Sequence, residues 1–205
     1  MTVYTDTSTI GGCFDEEFKE WSIALVEEFK IGKKMIMLSD LTLQELELAR
    51  DEVREKVNEI PKKYQVGIGV TDETIELAET YINEGALTIK SFNDALHIAL
   101  ATINNAGVLA SWNFKHIVNL NRIRLYNSIN LKLGYRMVEI RTPREILEVP
   151  TMNNNKKFDA VQMMRDIREK LSEKYWKHPD ILKKEMEAIR KKYDLKIKTP
   201  QDQLS

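Results

Sequence analysis

Short apolar runs alternate along this chain with longer helical patterns, and that alternation restricts the fold more than any other feature. Thr2 to Tyr4, Met35 to Leu38, Val108 to Ser111 and Met137 to Ile140 are too short for helices and read as strands. A helical pattern begins at Asp15 and carries Phe18, Trp21, Ile23, Leu25, Val26 and Phe29. A second, capped by Ser39 or Asp40, carries Leu43, Leu46, Leu48, Ala49 and Val53, and Pro61 ends that region. Asp72 caps a third, Thr74 to Glu84, which Gly85 closes. Ser91 caps a fourth, Asn93 to Asn105, and Gly134 stops a fifth, Leu120 to Leu133. Pro143 starts a last helical turn. The Thr/Ser cluster after Asp6 with Gly11 and Gly12 reads as a loop, and Gln65 to Val70 fits no single pattern. Strands alternating with helices predict an α/β domain with a mainly parallel central sheet flanked by helices. In such sheets the working site lies beyond the carboxyl ends of the strands.

Cysteine and charge narrow the class further. A lone Cys13 excludes an intramolecular disulfide framework and any Cys/His zinc set, and no basic partner near it in sequence suggests a nucleophile. No apolar run approaches the ~18–20 residues of a spanning helix. The N-terminus lacks the basic and apolar regions of a signal peptide, so no membrane association and a cytoplasmic location are expected. The net charge of −1 hides an asymmetry: −6 over residues 1–150 and +5 over residues 151–205. A basic tail on an acidic body can touch nucleic acid, or the acidic body of its own or a neighbouring chain.

Three acidic residues fall where the α/β reading puts its working edge. Asp6 ends the first strand, Glu45 lies in the helix after the second, and Asp94 opens the apolar helix. Each alone has an ordinary alternative: a turn or cap residue for Asp6, a solvated helix residue for Glu45, a favourable charge at a helix start for Asp94. If they converge, mutual repulsion calls for a cation, and an all-oxygen set suits Mg²⁺ or Mn²⁺. His97, inside the apolar helix, reads as a packing residue. His116, beyond a strand end, is a candidate phosphate contact, and Trp112 is either packing or a surface on which a base stacks.

Four segments occur in order: Tyr4-Thr-Asp-Thr-Ser8, Leu41-Thr-Leu-Gln-Glu-Leu46, Asn93-Asp-Ala-Leu-His-Ile-Ala-Leu-Ala101 and Ser111-Trp-Asn-Phe-Lys-His116. Together they resemble a PIN-domain protein, above all the ribonuclease toxins of VapBC-type toxin–antitoxin systems, over about residues 1–147. The resemblance implies a metal-dependent RNA-cleaving PIN-like domain over residues 1–148, with Asp6, Glu45 and Asp94 as catalytic and metal-holding acids and Mg²⁺ or Mn²⁺ as cofactor. It also places Ser8 beside Asp6 or a phosphate. Many PIN domains carry one more Asp where this chain has Asn113, which adds no negative charge and should weaken metal affinity. An endoribonuclease of toxin–antitoxin type is therefore expected. The alternative is a catalytically weak or inactive PIN-like binding or regulatory protein. An aspartyl phosphatase is set aside, because that class needs a second Asp where Ser8 stands.

Pro150 and the run Asn153 to Asn155 mark a linker over residues 149–155. The helical tail, residues 156–205, includes Phe158 to Leu171, which resembles the short helical segment of partner antitoxins. Its stripe Val161, Met164, Ile167 and Leu171 suits an apolar groove, and Arg165 and Arg168 project near that stripe. Guanidinium groups bind carboxylates bidentately and would compete with a metal. The expected partners are thus an RNA substrate and the chain's own tail or a neighbouring protomer, most simply in a homodimer. An ordinary amphipathic helix with solvated arginines is the alternative.

Overall fold

The computed structural model describes residues 1–147 and a few scattered positions between Lys174 and Lys191. The chain divides into two units, Met1–Pro150 and Thr151–Ser205. The expected linker and the tail segment with Arg165 and Arg168 lie outside the described residues.

In chain order the first unit runs β1 (Thr2–Thr5), α1 (Thr7–Gly11), α2 (Lys19–Lys30), β2 (Met35–Ser39), α3 (Asp40–Glu47), α4 (Asp51–Lys56) and β3 (Gln65–Ile68). It continues α5 (Asp72–Asn83), α6 (Phe92–Ile103), β4 (Val108–Ala110), α7 (Leu120–Lys132), β5 (Ile140–Arg141) and α8 (Pro143–Ile146). The five strands form one sheet in the order β3-β2-β1-β4-β5, and every pairing is parallel. The expected α/β class is the observed one. Strand order runs outward from β1 in both directions, so the carboxyl ends of β1 and β4 flank a topological switch point.

Successive strand residues face opposite sides of the sheet, and here both sides are covered. Tyr4, Met37 and Leu109 pack with Leu77, Leu100 and Tyr126 from α5, α6 and α7. Val3, Ile36 and Val108 pack with Leu25 and Phe29 of α2 and Ile146 of α8. Helix α6 is buried continuously from Ala95 to Thr102, which its run of small and aliphatic side chains permits. Truncating fully buried Leu100 to Ala would cost about 2–5 kcal/mol. This burial fixes the first turn of α6, and with it Asp94, at the carboxyl edge of the sheet.

Several local expectations are corrected. The segment after Asp6 is helix α1 rather than loop: Asp6 is extended, and its side chain accepts the Thr9 N–H as a cap. Helix α2 starts at Lys19, after a turn in which Phe18 and Lys19 N–H groups bond to the Asp15 carbonyl. The helix after β2 breaks at Leu48, which is 89% exposed, and resumes as α4. Thr71, not Asp72, caps α5 through a reciprocal bond with Thr74. Ser91 ends a 3₁₀ turn and makes no capping bond, and α6 begins at Phe92. The last strand is only Ile140–Arg141. The Asn127 side chain takes both backbone groups of Val138, at 2.8 and 3.2 Å, in place of a strand partner. No described helix is long and apolar enough to cross a membrane.

Candidate functional site

Asp6 leaves β1 at its carboxyl end and is 4% exposed, so its charge must be met by protein groups. Its Oδ1 accepts from Ser8 Oγ at 2.7 Å, Thr9 N–H at 3.1 Å and Thr9 Oγ1 at 3.2 Å. Its Oδ2 accepts from Ser111 Oγ at 2.6 Å. Ser111 follows β4, so this bond ties the two strands that flank the switch point. Ser8 supports Asp6, and its Oγ also accepts the Trp112 backbone N–H at 2.9 Å. The short turn of α1 makes this possible, because it brings Ser8 and Thr9 back over the capping side chain.

Glu45 lies on the second turn of α3. Its Oε2 accepts from Thr7 Oγ1 at 2.8 Å and meets His97 Nε2 at 3.2 Å, and its Oε1 accepts from Asn93 Nδ2 at 3.1 Å. Partial burial alone would raise its carboxyl. The hydrogen bond and charge of His97, with the Thr7 and Asn93 bonds, outweigh burial and hold it at about 2. His97 is 3% exposed, and its Nδ1 meets the Tyr4 hydroxyl at 2.7 Å. Tyr4 in turn meets Ser39 Oγ at 2.9 Å. Burial pushes the Tyr4 hydroxyl well up, so it stays protonated and can donate to Nδ1. Nε2 is the ring nitrogen that meets Glu45. The packing reading of His97 is therefore incomplete: the ring is buried and also orients a candidate site acid.

Asp94 sits in the first turn of α6, and its Oδ1 accepts from Asn113 Nδ2 at 2.8 Å. Asn113 Oδ1 accepts the His116 backbone N–H at 3.0 Å, which fixes which end of the amide faces Asp94. Burial raises the Asp94 carboxyl. The charges of His116 and His97 oppose that, and the negative charges of Asp6 and Glu45 add to it. Asp94 thus lies within the field of the other two acids. Burial lowers His116; the Asp94 charge opposes this, and Arg122 and Lys115 deepen it. Its buried Nδ1 has no hydrogen-bond partner among the described residues.

Asp6, Asp94, Glu45 and Asn113 therefore all border the carboxyl edge, but their polar atoms are turned to protein partners. Among the described residues, no three His, Cys, Asp or Glu side chains stand together as a ready metal-holding group. The donor set still suits a hard divalent ion. Every acidic donor is a carboxylate oxygen, and Asp94 Oδ2 has no protein donor among the described residues. Mg²⁺ sites commonly use one or two carboxylates and complete the shell with water. Sequence reasoning missed Ser111, Thr7 and Thr9, whose only signal is a hydroxyl close in sequence to a strand end.

No protein-family model matches the chain, and no curated protein matches it. Among solved structures, the crystal structure of VapBC2 from Rickettsia felis bound to a DNA fragment from their promoter is similar to it, with 14% identity and a TM-score of 0.46. That similarity covers 69% of this chain and 98% of the other. A resemblance at that distance carries no inference about chemistry.

Proposed function

We propose that the chain is a Mg²⁺- or Mn²⁺-dependent endoribonuclease of toxin–antitoxin type, inhibited by its own basic tail. The observation that carries this is the placement of three acids from separate elements at the carboxyl edge: Asp6 at the end of β1, Glu45 on α3 and Asp94 in the first turn of α6. The four-segment resemblance to PIN-domain toxins supports the same assignment. In this reading Asp94 would hold the ion through its unpartnered Oδ2, and Asp6 and Glu45 would turn from their protein donors to join it. When bound, the ion would supply an activated water and offset charge on the leaving oxygen. Ser8, Thr9 and Ser111 hold Asp6 in place, and His97 keeps Glu45 turned toward the edge. His116, whose Nδ1 has no partner among the described residues, offers a phosphate oxygen a hydrogen bond. Replacing Asp6 by Asn, in a chain with unchanged circular dichroism, should abolish divalent-dependent cleavage of RNA; retained cleavage refutes the assignment. Removing residues 151–205 should raise cleavage, and an equally active, folded truncation refutes the inhibitory role.

A second reading has its own observation. Asn113 gives an amide hydrogen to Asp94, so this site satisfies an acid without a cation. That arrangement suits a PIN-like binding or regulatory protein with little or no catalysis. RNA binding without cleavage, with Mn²⁺ and with the tail removed, would select it.

A further inference from the structure

Beside the acidic edge lies an aromatic cleft that the roles given above do not use. Trp112 is fixed there: its Nε1–H donates to the fully buried Ser22 Oγ at 2.8 Å. The Phe18 ring stacks on it, with centroids 4.5 Å apart and planes 21° apart. Phe114 is 50% exposed and leans at 42° to Phe18 and 47° to Trp112, 6.1 Å from each. The three rings thus form a wedge with one open wall. The cavity holds about 600 Å³, and Glu17, Trp21, Val118, Thr142, Arg144 and Glu145 complete its lining. The Arg144 guanidinium lies 5.2 Å from the centre of the Trp21 ring.

We propose that this cleft is a subsite for one unpaired nucleobase of single-stranded RNA; the proposal rests on the ribonuclease reading. Aromatic residues are 8% of the chain, yet they supply four of the cleft's named walls, as a stacking site requires. The rim carries a guanidinium for phosphate and a carboxylate that accepts from base N–H groups. Size separates this ligand from a protein helix. A single cavity of this volume lies in the range that takes a small ligand, whereas an amphipathic helix needs a row of pockets at its own repeat. Continuity with the acids supplies the register. Trp112 and Phe114 flank Asn113, whose amide holds Asp94, and the Trp112 backbone N–H is bonded to Ser8. A base in the wedge would therefore lie against the same loop that holds Asp94 and Ser8.

The test uses the full chain carrying Asp6→Asn, with Mg²⁺, and a fluorescein-labelled mixed-sequence single-stranded RNA followed by anisotropy. Phe114→Ala should weaken binding about 5–150-fold, the range of one stacked base. Phe114→Tyr should restore it. Phe114→Leu, which keeps apolar surface without a stacking plane, should not. RNA should quench tryptophan fluorescence, and Trp112→Phe should remove most of that quench. Binding of the same RNA as a duplex should not respond to Phe114. Equal single-strand affinity for all Phe114 variants, while the wild-type chain cleaves RNA, overturns the subsite and leaves the ribonuclease reading standing. Rescue by Leu, or equal losses on duplex, overturns it in favour of general apolar or electrostatic contact. Absence of both RNA binding and cleavage, in the full chain and in a folded chain without residues 151–205, overturns subsite and ribonuclease reading together.

Discussion

Replacing Asn113 by Asp probes the contact that lets this edge exist without a counter-ion. Asn113 Nδ2 donates to Asp94 Oδ1 at 2.8 Å, while Oδ1 of the same amide accepts from His116 N–H. An aspartate keeps the second bond and turns the first into two facing carboxylate oxygens. Losing a hydrogen bond to a charged acceptor removes about 1.5–3 kcal/mol. Two unit charges about 4 Å apart add about 4 kcal/mol at an effective dielectric of about 20. The pair can relieve itself by binding a proton. That caps the penalty at about 1.36 kcal/mol for each pH unit above an ordinary carboxylate value, or roughly 4–5 kcal/mol at pH 7.5. A loss of about 3–5 kcal/mol should lower the melting temperature by roughly 6–20 °C for a chain of this size. The pair binds its proton more tightly when folded than when unfolded. The deficit is therefore full above the raised folded value, shrinks as pH falls, and is gone below about pH 4. Thermal melts of both chains in EDTA from pH 8 to 4.5 measure this. Saturating Mn²⁺ should stabilise the variant more than the wild type, since an ion at 100 times its Kd contributes about 2.7 kcal/mol. Identical melting at pH 8 in EDTA would show that the two side chains do not face each other.

Two further expectations concern the buried relay from Glu45. The Glu45 carboxyl is held at about 2 against an ordinary 4.5, so its stabilisation is complete above pH 4.5 and is lost as pH falls toward 2. The amount is about 3 kcal/mol at most, and Glu45→Gln should flatten the wild-type decline in urea midpoint between pH 5 and 3. Tyr4→Phe leaves His97 Nδ1 without its partner and should cost about 1–3 kcal/mol. Its nitrogen NMR shifts should show a changed tautomer balance at His97, and an unaltered imidazole spectrum would contradict the relay.

The fold was readable because its signals are local. Apolar runs at Met35 to Leu38 and Val108 to Ser111 read most simply as buried strands, which form as Met35–Ser39 and Val108–Ala110, and Gly85 and Gly134 take the left-handed backbone that ends a helix. What escaped was decided by groups far apart in sequence. Val138 loses its place in a strand to a side chain on α7. His97 looks like packing because its helix is apolar, while its partners stand 52 and 93 residues away. The acids at positions 6, 45 and 94 could be placed at the sheet edge from spacing. The direction of the Asn113 amide could not, because it depends on the His116 N–H.

The hydroxyls around Asp6 fix an order of events. A folding chain can close this corner with Ser8, Thr9 and Ser111 alone, so no ion is needed to complete the architecture. In the metal-dependent reading proposed above, maturation and loading are separate steps. Chelation should strip a bound ion and leave a native protein behind, ready to reload when the ion returns. A depleted cell would keep its stock of folded chains rather than lose it to unfolding and proteolysis.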